Sequence, residues 1–382
     1  PRVGANPTRG APQRSPPLIM STPTTVDAVC DFVRAHTRVV PRGRGTKPLL
    51  FDVPPGAAAL DLSGLTGVLE YEPGEYTFTL AGTPLAEVEA LLAGHRQYLP
   101  FDPPLVRRGA TLGGTVAAGL SGPGRYRYGG VRDFILGLRW VDGRGQLIRG
   151  GGKVVKNAAG FDFPKLMVGS LGQLGAIVEV TFKVFPRPRA YATYVVDAPT
   201  LNVALELQSR LLMAPLDLEA LDLAPGPRGT QLQVRLGGLA ESLSARLGRL
   251  RDMIGEGRVR QGEDDAALWE AAREFTWVPV ESALVKVPVT PRRIPQLEAM
   301  LEQTSAVRRY SAGGQVAWLS WPHAVDVLDT ELSRLGMAGL AIFGPEYVGG
   351  GPFGLIGLKR SHQAFAARVK AALDPAVRFP EL

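Results

Sequence analysis

Residues 109–186 read GATLGGTVAAGLSGPGRYRYGGVRDFILGLRWVDGRGQLIRGGGKVVKNAAGFDFPKLMVGSLGQLGAIVEVTFKVFP. The stretch mixes glycine turns, where the backbone needs positive φ, with apolar runs able to carry a sheet. Residues 133–141 and 146–149 predict a hairpin around Asp142-Gly143-Arg144-Gly145. Residues 157–174 alternate glycines with a short apolar helix, and 176–185 alternate like a half-buried strand. Small residues in 111–122 let a backbone approach a ligand or another backbone closely. The combination suits a large phosphate-bearing ligand lying along backbone amides.

Upstream, Val26, Val29, Cys30 and Val33 stand at helical spacing behind Thr24 or Thr25 as N-cap. Val39 and Val40 then enter PRGRGTKP (41–48), where Gly43 and Gly45 free the backbone to form an anion-binding nest. That octapeptide lacks the spacing of a nucleotide-triphosphate loop and of a dinucleotide fold. Taken alone it reads more readily as an ordinary glycine loop with Arg42 and Arg44 in solvent. Strands are predicted at 68–72 and 76–81, and Thr83 is expected to cap a helix that starts at Pro84 and closes at Gly94. Beyond Arg189 the periods lengthen to six strands and five helices, an α+β pattern of a sheet backed by helices.

A chain of 382 residues exceeds the roughly 250–300 residues one core supports, so two domains are expected. The formal charge of +7 is spread among interspersed acids, which argues against nucleic acid as a partner. Cys30 is the only cysteine, which excludes an internal disulfide, a cysteine-ligated cluster and a multi-cysteine zinc site, and fits a reducing compartment. No run reaches the roughly 18–20 apolar residues of a membrane helix. We therefore expect a cytoplasmic chain, or one peripheral on the inner face of the membrane. Residues 1–20 open rich in Pro, Arg and Gly and are expected to be a disordered leader.

Three blocks in this order carry a family resemblance: VPRGRGT (40–46), GATLGGTVAAGLSGPGRYRYGGVRDFILGLRWVDGRG (109–145) and KNAAGFDFPKLMVGSLGQLGAIVEVTFKVFP (156–186). Together they resemble the FAD-binding domain of the vanillyl-alcohol oxidase and p-cresol methylhydroxylase (PCMH) type. Within it, LPFDPPL, the LSGPGR segment and the KNAAGFDFPKLMVGS block are similar to the FAD-binding companion subunits of bacterial glycolate oxidases. The resemblance implies an α+β fold: a two-subdomain FAD-binding domain over 21–188, then a smaller α+β cap domain over 189–382. It implies FAD as cofactor, and as partners a larger catalytic flavoprotein subunit and an iron–sulfur subunit, the complex oxidising a 2-hydroxy acid. For the cofactor's pyrophosphate it points to Pro41, Arg42, Gly43, Arg44, Gly45 and Thr46 as one wall and Thr111, Gly113, Gly114 and Thr115 as the other. Pro103, Ser121, Ile177 and Val178 match family positions that line the adenine, ribose or ring. Covalent attachment in the family uses a histidine in the first glycine loop; PRGRGT has none, so dissociable FAD is expected.

Oxidising a 2-hydroxy acid asks for a hydride acceptor, a base and cations for the carboxylate. The chain has only His36, His95, His323 and His362, without the His-rich C-terminal signature of catalytic relatives, and its end, DPAVRFPEL, lacks their NPGR. Arg308 and Arg309 are carboxylate candidates, of which one at most can face a site. Arg132 and Asp133 read as a buried structural pair. Three functions follow: an FAD-binding subunit of a glycolate-oxidising complex, a self-sufficient 2-hydroxy-acid dehydrogenase of the D-lactate type, or a non-catalytic flavin scaffold.

Overall fold

In a computed structural model the described residues are 19–50, 53–54, 56–153, 161–345, 354–357 and 363–381. Most of the expected leader, the KNAAG segment (156–160) and His362 lie outside them. Met20–Ser21, at the edge of that leader, pairs in parallel with Ala59 and Leu60.

Among the described residues the N-terminal half contains three sheets, one of them the two-stranded pairing of Gln97–Tyr98 with Phe185–Pro186. A small parallel sheet orders Met20–Ser21, Ala58–Asp61 and Val39–Arg42. The helix Val26–Ala35 buries Val29, Cys30 and Val33 in the cluster that also holds Val39 and Leu60, and Thr25 caps it by accepting from the Ala28 amide at 3.2 Å. An antiparallel sheet follows in the order Val68–Glu72, Tyr76–Leu80, Ala176–Lys183, Ile135–Val141, Leu147–Gly151. Ala176–Lys183 is its central strand and is buried at every position but the last, so the expected half-buried strand is covered on both faces. Its Val178 faces the first helix cluster, and Ile177 faces the larger cluster shared with the second half.

The second half is built on one nine-stranded antiparallel sheet, from Arg258–Gln261 at one edge to Leu355–Gly357 at the other. Its middle strands alternate strictly. In Ala283–Pro288, Val285 and Val287 join the cluster under the covering helices Leu201–Leu212, Ala240–Ile254, Ile294–Leu301 and Val325–Arg334, whereas Leu284 joins the cluster with Leu99, Phe101 and Leu105. In Val316–Trp321, Ala317, Leu319 and Trp321 face the helices and Val316 and Trp318 face the N-terminal half. A period of two thus divides one strand between two cores and welds the halves together.

The helix Glu263–Glu274 ties the halves by polar contacts as well. Glu274 accepts from the amides of Val106 and Arg107, and Arg273 bridges to Glu89 at 2.8 Å and Asp102 at 3.4 Å. The chain end returns to the N-terminal half: after the helix Gln363–Leu373, the Leu373 carbonyl accepts from Gly143 and the Arg378 carbonyl from Val39.

Candidate functional site

Three segments converge on a cleft of about 730 Å³: the loop 41–47, the helix Leu112–Ala118 and the loop 171–175. Glycines let these walls meet. A Cβ on Gly43 would stand 2.5 Å from Thr111 Oγ1, one on Gly113 2.6 Å from the Ala81 Cβ, and one on Gly172 2.9 Å from Pro41 Cγ. Gly45 also takes φ of 69°, in the left-handed region.

Ten of the fourteen residues named from the sequence come together on this cleft: Pro41, Arg42, Gly43, Arg44, Gly45, Thr46, Thr111, Gly113, Gly114 and Ile177. Pro103, Thr115, Ser121 and Val178 do not line it. Ser121 Oγ accepts from the Val131 amide at 2.9 Å, and Val178 lies fully buried with its carbonyl accepting from Ala81. Thr115 is buried behind the wall, its hydroxyl without a hydrogen-bond partner among the described residues. Pro103 is buried too.

The two walls are not equivalent. Thr111 to Thr115 form the start of a helix, with Thr111 Oγ1 accepting from the Gly114 amide at 3.3 Å. The amides of Leu112, Gly113 and Thr115 donate to the carbonyls of Thr83, Ala81 and Thr111. This wall's donors are therefore used within the fold, and it offers close approach rather than hydrogen bonds. Among the described residues, the amides of Gly43, Arg44, Gly45 and Thr46 have no such carbonyl partners. The donor-bearing wall is the 41–47 loop.

Charge follows the same division. Arg42, Arg44 and Lys47 line the cleft, and no Asp or Glu does among the described residues. Lys47, which the glycine motif does not single out, is 7% exposed, donates to Thr46 Oγ1 at 3.2 Å, and is pushed down to about 8 by burial. A signal for it exists in the sequence: a lysine two residues after the second of two closely spaced glycines, in a segment heading into the core. Gly172 and Gly175 also line the cleft.

Other expectations give way to the geometry. Thr83 does not cap the helix Leu85–Gly94; its hydroxyl accepts from the Gly67 amide at 2.9 Å. Arg132 and Asp133 are both exposed, Asp133 accepting from the Gly130 amide at 2.8 Å. Arg308 is bound to Glu298, and Arg309 to Asp222 at 2.8 Å and Gln233 at 2.7 Å, so both arginines serve the fold of the large sheet. His36 faces the Phe32 carbonyl at 2.8 Å, His95 stacks edge-on against Tyr71, and His323 is exposed beside Trp321. None of the three lines the cleft.

Comparisons with known proteins agree with this geometry. Residues 17–151 match the family described as FAD binding domain. Glycolate oxidase subunit GlcE of Escherichia coli is 43% identical over 166 residues, 43% of this chain and 47% of that protein. Glycolate oxidase subunit GlcD of Bacillus subtilis is 31% identical over 48% of this chain and 40% of its own length. The chain thus spans less than half the length of these relatives. Among solved structures, an alkyldihydroxyacetonephosphate synthase superposes with a TM-score of 0.70 at 15% identity, covering 95% of this chain and 77% of that one. Residues 17–151 thus match an FAD binding domain, and the fold of the chain as a whole is similar to that of the synthase.

Proposed function

We propose that this chain is the FAD-binding subunit of a glycolate oxidase complex, assembling or relaying electrons beside a catalytic flavoprotein subunit and an iron–sulfur subunit. One observation carries it: a cleft walled by glycine segments, lined by cations without a carboxylate among the described residues, two of whose walls lie inside a match to an FAD binding domain. The amides of 43–46 and the cations beside them suit a diphosphate, while Gly113, Gly114 and Gly172 let the walls of the cleft pack closely on one another. Apolar Leu50, Leu62 and Ile177 offer surface for a ring. Bound FAD would supply the electron acceptor for oxidising glycolate to glyoxylate. With neither histidine nor cysteine in the described lining, the cofactor is held without a covalent link.

The similarity to a glycolate oxidase subunit over 166 residues supports the choice of complex. The described helices include none long and apolar enough to cross a membrane, in keeping with a cytoplasmic or peripheral location.

A second reading, a self-sufficient 2-hydroxy-acid dehydrogenase, draws on Lys286. Standing between Leu284 and Pro288, it points toward the N-terminal half by the alternation of its strand. Burial, aided by the charge of Arg125, holds it at about 8, and neither cation has an ion-pair partner among the described residues. Such a pair suits a small carboxylate.

Anaerobic addition of glycolate or D-lactate to the purified, FAD-loaded chain separates the two. A flavin spectrum unchanged until the catalytic subunit is added supports the subunit reading. Rapid bleaching of the chain alone, abolished in Lys286→Met, establishes the second. A chain that cannot be loaded with FAD overturns both.

A further inference from the structure

We propose that the Lys47 ammonium is the counter-ion of the cofactor's diphosphate, a charge that the described residues leave without an anion. The proposal rests on the FAD reading above and extends it to a residue that neither the glycine motif nor the comparisons assign.

A buried ammonium needs an opposite charge or several acceptors, because an isolated ion in a low-dielectric interior is strongly disfavoured. Lys47 has a single hydroxyl, Thr46 Oγ1, at 3.2 Å. The described surroundings supply no carboxylate. Its own loop brings Arg42 and Arg44; the helix Leu112–Ala118 brings no ionisable group; the loop 171–175 brings only Gln173. The turn Pro48–Leu50 that follows Lys47 packs on the strand Ala338–Phe343, which has none either. Asp61, on the strand beside Val39–Arg42, turns its Oδ1 to the Ser63 amide at 2.9 Å and makes no ion pair with Lys47 among the described residues. Every charged side chain on the described cleft lining is positive, and the cleft is open to a ligand.

A diphosphate in the cleft would supply the missing anion and favour the protonated lysine. Burial alone holds Lys47 near 8, so above that pH the free protein has lost the proton that the complex keeps. Loading FAD at pH 9 therefore takes up a proton, and affinity falls with rising pH by up to about tenfold per unit until the bound lysine itself titrates.

Calorimetric titration of the apoprotein with FAD at pH 9, in two buffers of unlike ionisation enthalpy, counts that proton. Uptake approaching one proton is expected for the native chain, and none for Lys47→Met or Lys47→Arg. Lys47→Met should bind FAD about 10- to 100-fold more weakly. It should bind riboflavin, which has no phosphate, as the native chain does, and its apoprotein should resist urea better. Lys47→Arg keeps the charge and should recover most of the FAD affinity without the pH slope. FAD binding without proton uptake, an equal loss for FAD and riboflavin, or a destabilised Lys47→Met apoprotein would overturn the counter-ion role while leaving the cofactor assignment intact. Failure of the native chain to bind FAD would overturn the cofactor assignment itself.

Discussion

Of two buried lysines, one lines the cleft and the other stands behind its 171–175 loop, and the described fold treats them oppositely. Lys370, 8% exposed, donates to Asp374 Oδ2 and the Gln173 carbonyl at 2.6 Å each and to the Phe379 carbonyl at 3.1 Å. It fastens the chain end behind the 171–175 loop. Lys47, as deeply buried, has one hydroxyl as partner among the described residues. A compensated lysine is structure, and an uncompensated one facing a cleft calls for an anion. The backbone amides divide likewise: those opening the helix Leu112–Ala118 are engaged by Thr83, Ala81 and Thr111, whereas those of 43–46 have no backbone carbonyl partner among the described residues.

The largest effect should come from breaking the compensated side. Asp374 is fully buried and also accepts from the amides of Arg378 and Phe379 at 2.9 Å. Asp374→Ala leaves Lys370 without its anion and should cost about 3–5 kcal/mol in urea unfolding. Gly113→Ala comes next, since its methyl would meet the Ala81 Cβ at 2.6 Å and the Ala81 carbonyl at 3.0 Å. A loss of about 1–3 kcal/mol is expected in thermal unfolding, with a lower FAD content of the purified protein.

The uncompensated side should respond with the opposite sign. Lys47 has a folded value near 8, below its ordinary 10.5, so the unfolded chain binds more protons between these values. Its contribution to apoprotein stability therefore rises from about pH 8 to about 10.5, a trend that Lys286 shares. Lys47→Met should flatten part of that rise and stabilise the apoprotein at pH 7 by about 1–3 kcal/mol, read from urea midpoints at several pH values. The smallest effect belongs to the exposed pair Arg34–Asp31, where Asp31→Ala should change stability by less than about 0.5 kcal/mol. A large loss there, or none at Asp374, would dissolve the distinction between compensated and uncompensated charge.

Much of the architecture is legible in residue order. The helix at 26–35 with its threonine cap, the hairpin strands 68–72 and 76–80, and the strand, helix and sheet alternation after Arg189 follow local periodicity. The first glycine loop is legible as a phosphate nest because its glycines are close in sequence. The strand Ala338–Phe343 and the edge strand Leu355–Gly357 escape such a reading, since nothing local distinguishes a strand that is stabilised by a neighbour far away in sequence. The second glycine block reads as a wall of amides and is instead a capped helix start, because the carbonyls that engage its amides at Ala81 and Thr83 arrive from another segment.

The sequence by itself determined which backbone may turn, which residues alternate, and that three glycine blocks occur in a flavin-binding order, since these properties are local or ordinal. The tertiary structure alone decided which donors and charges are left over. Whether Lys47, Lys370, Arg308 or Arg309 is a ligand contact or a structural ion depends on where the carboxylates and carbonyls of distant segments come to lie, and in a low-dielectric interior that placement outweighs any preference the residue has on its own.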